Sequence, residues 1–295
     1  MEVFLTGATG YIGGSAAQAL HKAGHKVTGL ARNEEKAKRL ESQGMRSLIG
    51  DLQKPETLAA AARAAEGVIH TGNTNDANSA QVDSAVVRAM LKALEGAGKP
   101  FVYTSGVWVL GSTGDKVADE STPVNPTPLV AQRPAIELEV LAGKDRGVRA
   151  VVIRPALVYG RGGGIPRMLV QSARETGAAR YVGDGRNRWP FVDVDDLALL
   201  YVLALEKAAP GSLYNAVDGP SYRVLEIAEA ASVGAGANGK TQAWPLEEAR
   251  KTLYGFADAL VLDQQVSGEK AMKELGWSPR AASVLDDLKT GSYTR

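Results

Sequence analysis

The chain has 295 residues, of which 44% are hydrophobic and 23% are charged. This length and composition allow a large buried core and argue against wholesale disorder. The formal net charge is +1 and no long block of like charge occurs, so the sequence gives no electrostatic indication of a nucleic-acid or membrane partner. There are no cysteines, which excludes disulfides, thiolate catalysis and cysteine-ligated metals.

The chain begins MEVFLTGATG, which lacks the basic stretch and apolar core of a secretory signal. No apolar run reaches the ~20 residues that a membrane-spanning helix requires. We therefore expect a cytoplasmic protein that binds neither membranes nor nucleic acid.

The first half of the chain alternates short apolar runs with segments of helical periodicity. Strands are predicted at residues 3–5, 26–31, 46–49, 68–71, 101–104 and 150–154, and helices at residues 11–23, 34–43, 55–67 and 80–95. This alternation is typical of βαβ units and a parallel sheet, with right-handed crossovers that place helices on both faces. We therefore predict an α/β fold built on a Rossmann-type doubly wound parallel sheet.

The alternation ends after Tyr159, where the glycine-rich segment GRGGG begins. The chain then becomes rich in turns, and residues 194–206 are the main return of a long helical pattern. We predict a dinucleotide-binding domain at 1–160, with 191–207 returning to it. Residues 161–190 and 208–295 are predicted to form a smaller C-terminal substrate-binding domain.

The strongest motif is TGATGYIG at residues 6–13, between the first predicted strand and the first predicted helix. Gly7 permits a sharp turn, Gly10 leaves room for a pyrophosphate, and Gly13 lets the helix approach the sheet closely. Free N–H groups at a helix start bind phosphate. A tight turn with incidental glycines is the alternative, but the strand–loop–helix context favours a dinucleotide. The predicted contacts also include Thr9, Tyr11 and Ile12.

The residues after the second strand bear on the choice between NAD and NADP. Proteins specific for NAD usually carry an acidic residue there, whereas this chain has Arg32 followed by Asn33. A guanidinium can clamp a 2′-phosphate, and Lys36 lies one helical turn further on. Alternatively, Arg32 is a solvated surface residue and Glu34 or the next residue reaches the ribose. We predict NADP as the cofactor, with NAD possible.

The ends of the third and fourth strands supply further predicted cofactor contacts. Asp51 and Leu52 are placed to border the adenine, although Asp51 could equally cap the following turn. Thr71, Gly72 and Asn73 end the fourth strand and are predicted to touch the cofactor.

These landmarks together resemble the extended short-chain dehydrogenase/reductase superfamily, the NAD-dependent epimerase/dehydratase group. The matching segments run nearly end to end and comprise residues 6–13, 50–52, 67–70, 101–105, 119–126, 154–160 and 191–196. The resemblance is specific for the superfamily but not for a substrate. It implies a nicotinamide cofactor and a small organic substrate.

The resemblance also implies catalysis by a Ser or Thr, a Tyr that acts as general acid or base, and a Lys four positions after the Tyr. The matching segment is PTPLVAQRPAIE, residues 126–137, and Glu137 fixes its register. The Tyr position then holds Leu129 and the Lys position holds Arg133. The Ser position is Gly106, directly after Ser105.

These replacements change the expected chemistry. Leu129 has no proton to give, and a guanidinium stays charged, so Arg133 can bind ribose hydroxyls or substrate but cannot relay a proton. A surface position is the alternative for Arg133. Pro134 should start or kink the helix at this point.

Three hypotheses follow for the activity. The first is a reductase whose substrate needs little help from an acid. The second is a reductase with a relocated acid, for which Tyr159 in the pocket-lining segment is a fairer candidate than Tyr103, whose better interpretation is core packing. The third is a non-redox lyase, cyclase or epimerase-like enzyme, or a protein that senses NADPH. We favour an NADP-dependent oxidoreductase that transfers hydride to a small carbonyl, imine or enone, with Ser105, Arg133 and Tyr159 as candidate catalytic residues.

Other residues are predicted to border the substrate or the nicotinamide. Trp108 follows the fifth strand, and two interpretations of it are open: an aromatic wall beside the nicotinamide, or packing in the core. Leu129 and Arg188 are predicted to face the substrate, as is Tyr159. Pro155 and Leu157 are expected beside the nicotinamide carboxamide.

No metal site is predicted, because His21 and His25 are four residues apart but have no third ligand nearby in sequence. His70 ends a buried strand and is interpreted as packed. The acidic residues of 193–196 start a helix, where negative charge suits the dipole. The resemblance implies a possible homodimer through the helix at 80–95 and the helix that carries Arg133.

Overall fold

The computed structural model describes residues 1–294. The first part of the chain contains β1 (Glu2–Thr6), α1 (Tyr11–Lys22), β2 (Lys26–Ala31), α2 (Glu34–Glu41), β3 (Arg46–Ile49), α3 (Pro55–Ala64), β4 (Gly67–His70), α4 (Ser79–Leu94), β5 (Pro100–Thr104), β6 (Val117–Ala118), α5 (Arg133–Leu141), β7 (Arg149–Pro155) and β8 (Leu157–Tyr159). Three 3-10 helices lie at Val107–Leu110, Pro128–Val130 and Ala142–Arg146.

The second part contains α6 (Pro166–Thr176), β9 (Ala179–Val182), β10 (Arg188–Trp189), β11 (Phe191–Asp193), α7 (Val194–Lys207), β12 (Ser212–Ala216), β13 (Tyr222–Arg223), α8 (Val224–Gly234), β14 (Thr241–Trp244), α9 (Leu246–Leu253), α10 (Gly255–Leu260), β15 (Gln265–Val266), α11 (Glu269–Leu275) and α12 (Val284–Thr290). No helix within residues 1–294 is long and apolar enough to cross a membrane.

Seven parallel strands form the central sheet in the order β12-β7-β5-β4-β1-β2-β3. Helices α1 and α7 cover one face, and α3, α4 and α5 cover the other. The predicted Rossmann-type doubly wound sheet is therefore confirmed. The chain order reverses between β1 and β4, and ligands of such sheets bind in the crevice outside the strand ends at that point.

A separate hydrophobic cluster defines the smaller part of the molecule. It is formed by residues of α6, β9, α8, α10 and α12, including Leu169, Ile227 and Leu288. Four short two-stranded pairings lie outside the main sheet, which accounts for the loss of regular alternation after Tyr159.

The predicted domain boundary at 207 needs correction. Strand β12 pairs with β7 at the edge of the central sheet, from Ser212 opposite Val151 to Ala216 opposite Pro155. Leu275 and Trp277 also pack into the main core. The chain therefore contributes a seventh strand to the larger domain after α7. This strand follows directly on a helix, whereas the turn-rich sequence beyond it suggested that the domain had already ended.

Candidate dinucleotide and substrate site

The glycine loop between β1 and α1 has the geometry of a phosphate cradle. Gly7 has φ +73°, and a Cβ added there would lie 2.5 Å from the Thr71 hydroxyl oxygen. A Cβ at Gly13 would collide with the Gly7 carbonyl oxygen. The Gly10 amide donates to that same oxygen at 2.8 Å, which closes the turn before α1. The loop therefore requires its glycines, and it exposes the free N–H groups of a helix start to the crevice.

This loop forms the floor of a cleft of about 490 Å³. The cleft is lined by thirteen of the predicted cofactor residues, namely Gly7, Thr9, Gly10, Tyr11, Ile12, Gly13, Arg32, Lys36, Asp51, Leu52, Thr71, Gly72 and Asn73. The residues present therefore fit a dinucleotide, with a phosphate cradle in the middle and a polar pocket at each end.

The adenosine end of the cleft carries two cations. Arg32 is exposed, Lys36 is partly buried, and neither has an ion-pair partner among residues 1–294. Asn33 was predicted to contact the cofactor, but it does not line the cleft. Its side chain instead caps α2 by accepting from the Lys36 amide at 3.0 Å, which is the usual use of Asn before a helix. The carboxylate of Asp51 accepts from the Gln53 amide at 2.9 Å, so its capping and cleft-lining roles coexist.

The residues that follow β4 are hydrogen-bonded to the end of β1. The Thr71 hydroxyl donates to the Thr6 carbonyl at 2.8 Å, and the Gly72 amide donates to the Thr6 hydroxyl at 3.2 Å. These bonds hold Thr71 and Gly72 directly beside the glycine loop, on the lining of the same cleft.

A second chamber of about 540 Å³ opens from this cleft. Ile12, Asn73, Asn75 and Asp76 line both spaces, so the two are continuous. The chamber is lined by six further residues named from the sequence: Ser105, Trp108, Leu129, Arg133, Pro155 and Leu157.

One wall of the chamber is aromatic. The Trp108 and Phe256 rings meet edge to face, with centroids 5.8 Å apart. The Leu129 side chain is 41% exposed and lies on the same lining. Phe256 was missed from the sequence because it comes from α10 of the smaller domain, and a lone Phe in an apolar helix carries no local signal of a binding site.

Arg133 is the first residue of α5, where Pro134 marks the helix start as predicted. Its Nη1 donates to the Thr104 carbonyl at 2.9 Å, which turns the guanidinium toward the chamber. Ser105 forms part of the chamber wall, but its hydroxyl is shielded from solvent and has no hydrogen-bond partner. The two residues therefore differ in what they expose to the chamber. Arg133 exposes a positive charge, whereas the hydroxyl of Ser105 is buried.

Tyr159 and Arg188 were predicted to face the substrate, but neither lines the chamber. Val158 lines the chamber, but the side chain of the next residue, Tyr159, is buried in the hydrophobic cluster of the smaller domain. Tyr159 packs edge to face on Phe191, and its hydroxyl donates to the Ala282 carbonyl at 2.7 Å. Burial raises the pKa of Tyr159, so this phenol is a structural group rather than the acid of the chamber.

Arg188 likewise does not line the chamber. Its Nε donates to Asp263 Oδ1 at 2.9 Å and its Nη2 donates to Asp263 Oδ2 at 2.7 Å, with Asp115 at 3.2 Å as a further partner. This fork joins β10 to the segment before β15, and its partners are more than seventy residues away in sequence.

Tyr103 and His70 are packed, as predicted. Tyr103 donates to Asp83 Oδ2 at 2.7 Å, and His70 Nε2 lies 2.9 Å from Asp83 Oδ1. Burial alone would raise the pKa of Asp83, but the hydrogen bonds from His70 and Tyr103 bring it below its usual value. Burial raises the pKa of Tyr103, so its phenol holds its proton.

His21 lies in α1, and His25 follows that helix, just before β2. His25 Nε2 lies 2.9 Å from Glu206 of α7. No group of three His, Asp or Glu side chains within residues 1–294 is arranged to hold a metal ion. Asp193 caps α7 by accepting from the amides of Asp195 and Asp196, as its position at a helix start predicted.

A glycine cradle at the switch point of a parallel sheet, opening into a chamber at the strand ends, defines a dinucleotide-binding protein of the Rossmann class. The chain belongs to the NAD dependent epimerase/dehydratase family, which matches residues 3–216. This membership confirms the superfamily resemblance read from the motifs.

Two relatives and one solved structure are similar to this chain. An uncharacterized protein of Schizosaccharomyces pombe is 34% identical over 99% of this chain and all of its own length. The 2-alkyl-3-oxoalkanoate reductase of Stenotrophomonas maltophilia is 32% identical over 72% of this chain and 67% of its own. The dTDP-glucose 4,6-dehydratase of Bacillus anthracis, solved in complex with NAD, superposes with a TM-score of 0.83 at 18% identity, over 98% of this chain and 94% of its own. The likeness to this last protein is one of fold.

Proposed function

We propose that the protein is an NAD(P)H-dependent reductase that transfers hydride to a small organic carbonyl, imine or enone. The observation that carries this proposal is the continuity of the glycine-loop cleft with the chamber through Ile12 and Asn73. A dinucleotide whose pyrophosphate lies on the glycine loop would extend its nicotinamide toward that junction. The reductase relative from Stenotrophomonas maltophilia supports the same reaction class.

The proposed cofactor is NADP rather than NAD. Arg32 and Lys36 border the adenosine end of the cleft, and no carboxylate in residues 1–294 pairs with either of them. A guanidinium forms two parallel hydrogen bonds to a phosphate, and a nearby ammonium adds charge. Both features favour a 2′-phosphate over a 2′-hydroxyl.

The proposed substrate is apolar and flat enough to lie against an aromatic wall. Trp108, Phe256 and Leu129 provide the apolar lining, and Arg133 provides a cation at the rim. Such a chamber buries an aryl or alkyl group and aligns a single polar group of the substrate with the guanidinium. The polar substrate atom is therefore the oxygen or nitrogen at the reacting double bond.

The usual proton donor of the family is absent under this proposal. The register fixed by Glu137 assigns Leu129 to the position of the Tyr and Arg133 to that of the Lys, and both line the chamber. Leu129 cannot donate a proton, and Arg133 stays charged. Substrates that already carry a proton, such as iminium ions, or that take one from water, such as enones, do not need this donor.

The test of this proposal is oxidation of NADPH with a panel of carbonyl, imine and enone substrates, followed by the loss of dihydronicotinamide absorbance. We expect turnover with at least one apolar aryl or alkyl member, and faster turnover of imines and enones than of unactivated ketones. Tight NADPH binding without turnover across the panel would instead support the second candidate, a dinucleotide-sensing or non-redox protein, which the loss of the Tyr favours.

A paired variant tests the assignment of the missing donor. Leu129→Tyr combined with Arg133→Lys should create ketone reduction, because a phenol and its ammonium partner then face the reacting atom. The matched control is Leu129→Phe combined with Arg133→Lys, which has the same ring but no hydroxyl. Equal ketone rates in the two variants would show that the register is wrong.

We also propose a homodimer formed through α4 and α5. The two helices lie side by side, and Arg88 Nε donates to both Glu139 carboxylate oxygens at 3.0 Å. Leu138 of α5 is 69% exposed on this face. An exposed Leu framed by an ion pair suits a helix-to-helix contact.

A further inference from the structure

Unsatisfied polar atoms are concentrated behind the chamber wall. Six buried side-chain nitrogen and oxygen atoms have no hydrogen-bond partner within residues 1–294. Four of them belong to Ser105, Arg154 and Asn215, and the other two belong to Thr127 and Ser232. An unpaired buried polar group destabilises the folded state, so a cluster of four such atoms calls for a partner.

The three residues lie side by side on neighbouring strands. Asn215 on β12 is paired in register with Arg154 on β7. Ser105 follows β5 directly, and its amide donates to the Ile153 carbonyl at 2.8 Å, so the register carries Ser105 alongside Arg154. Residues in register on neighbouring strands share a face, which here is the face covered by α5.

Arg154 holds its place in this cluster through a buried ion pair. Its Nε and Nη2 donate to the two carboxylate oxygens of Glu137 at 2.9 and 2.5 Å, and this leaves Nη1 without a partner. Asn215 is 0% exposed, and both polar atoms of its side chain are unpaired. A donor on Arg154 and a donor with an acceptor on Asn215 match the hydrogen-bonding pattern of water.

The cluster lies between the chamber and the protein surface. At one end, Ser105 is part of the chamber wall. At the other, Glu120 Oε1 accepts from the backbone N–H of Asn215 at 2.8 Å, and Glu120 also lines a surface cleft with Lys270 and Glu274. Burial raises the pKa of the Glu120 carboxyl, so this group holds a proton more readily than an exposed Glu.

We propose that Ser105, Arg154 and Asn215 bind ordered water, and that this water delivers a proton from Glu120 to the substrate in place of the absent tyrosine. The delivery of the proton rests on the proposed reductase function. The serine hydroxyl moves between staggered rotamers about χ1, so it can turn from the water site to the chamber.

The proton transfer accompanies the transfer of hydride. A bound reduced dinucleotide would supply the hydride of the new C–H bond, and the electron pair of the substrate double bond would move to its oxygen or nitrogen. That atom takes the proton of the Ser105 hydroxyl, and Ser105 takes a proton from the bound water. The water regains a proton from the Glu120 carboxyl, which is reprotonated by solvent through the surface cleft.

The water site is tested by high-resolution crystallography of the full chain. We expect an ordered water within hydrogen-bond distance of Arg154 Nη1 and the Asn215 side chain, and close to the Ser105 hydroxyl. A dry cluster, or one in which these atoms bond to each other, would overturn the proposal. This experiment needs neither cofactor nor substrate.

The proton route is tested with Asn215→Leu, which removes two of the unpaired atoms and keeps the branching of the side chain. We expect kcat to fall roughly 10- to 100-fold, with a larger solvent deuterium isotope effect and an unchanged Kd for NADPH. The free energy of unfolding should fall, because the bound water is lost and Arg154 Nη1 is left buried without a partner. The matched control is Ser232→Ala, which removes a buried unpaired hydroxyl from α8, away from both ligand spaces.

A second variant keeps the proposal testable if Asn215→Leu does not fold. Glu120→Gln retains an acceptor for the backbone N–H of Asn215 but cannot cycle a proton, so kcat should again fall while NADPH binding persists. Wild-type kcat in either folded variant would overturn the proton route even if the site is hydrated. If the wild-type protein turns over nothing, the proposed function fails, and the crystallographic result alone decides the water site.

Discussion

Arg32 is the side chain on which cofactor choice depends most directly. We expect Arg32→Ala to weaken NADPH binding about 10- to 100-fold, since a charge-assisted hydrogen bond contributes about 1.5–3 kcal/mol. NADH binding should change little. Fluorescence titration with both cofactors provides the measurement.

A matched control separates this contact from the overall charge of α2. Arg39→Ala removes the same charge from an exposed position on α2, the helix that follows Arg32, outside the cleft lining. It should leave the Kd of NADPH within about twofold, a change of less than about 0.5 kcal/mol. Equal affinity of the wild-type protein for NADPH and NADH would refute the role given to Arg32.

Individual residues of the site were predictable where a motif fixed both the strand end and the direction of the side chain. The glycine loop, Thr71 and Arg133 are examples, because each lies within one or two residues of a predicted strand or helix end. Tyr159 was misplaced because its hydroxyl bonds to the Ala282 carbonyl, a partner that is distant in sequence. Arg188 was misplaced because its partner, Asp263, is distant in sequence, and the residues around Arg188 give no sign of this ion pair.

Strand β12 and helix α7 are joined by a carboxylate with an altered pKa. Asp218 lies just beyond β12, and its Oδ2 accepts from the Asp193 amide at the start of α7 at 2.6 Å. Burial raises the pKa of Asp218 to about 6, and the neighbouring Asp196 and Asp193 add to the shift. The folded state therefore binds this proton more tightly than the unfolded state.

This shift predicts how stability changes with pH. The folded pKa exceeds the unfolded value near 4, so the contribution of Asp218 to the free energy of unfolding is fully favourable below about pH 4 and declines up to about pH 6. Asp218→Asn stays neutral and should be more stable than wild type above about pH 6, by on the order of 1–3 kcal/mol. Urea unfolding across this range measures the difference.

The exposed Asp184 provides the control for Asp218. Its carboxylate is 67% exposed and faces Arg186 in a surface turn. Asp184→Asn should produce no gain that grows with pH. If Asp218→Asn shows the same small change at all pH values, Asp218 does not hold its proton in the folded state.

The regular elements were predictable from the sequence, and the irregular ones were not. Six predicted strands match β1 to β5 and β7 within one or two residues at each end, because buried parallel strands are continuous apolar runs bounded by turns. The pairings of β8 with β11 and of β9 with β14 involve three or four residues each. Such short strands depend on tertiary contacts, and their local sequence resembles ordinary loops.

At the scale of the whole molecule, the proposed dimer is directly measurable. Light scattering should give twice the mass of the chain, and Leu138→Lys should shift the protein toward monomer because it places a charge in the contact between helices. Leu199→Lys is the matched control, since Leu199 is 49% exposed on α7, across the sheet from α5. A monomeric wild-type protein, or equal effects of the two substitutions, would contradict the assignment of this interface.

Trp108 packs against the cores of both domains and also borders the chamber. The other three tryptophans lie elsewhere: the indoles of Trp189 and Trp277 donate to backbone carbonyls, and Trp244 lies beneath the Arg180 guanidinium. The molecule thus carries its own optical probe. Excitation energy of Trp108 can pass to a reduced nicotinamide, whose absorption overlaps tryptophan emission, so binding of the cofactor should alter the intrinsic fluorescence of the unlabelled protein.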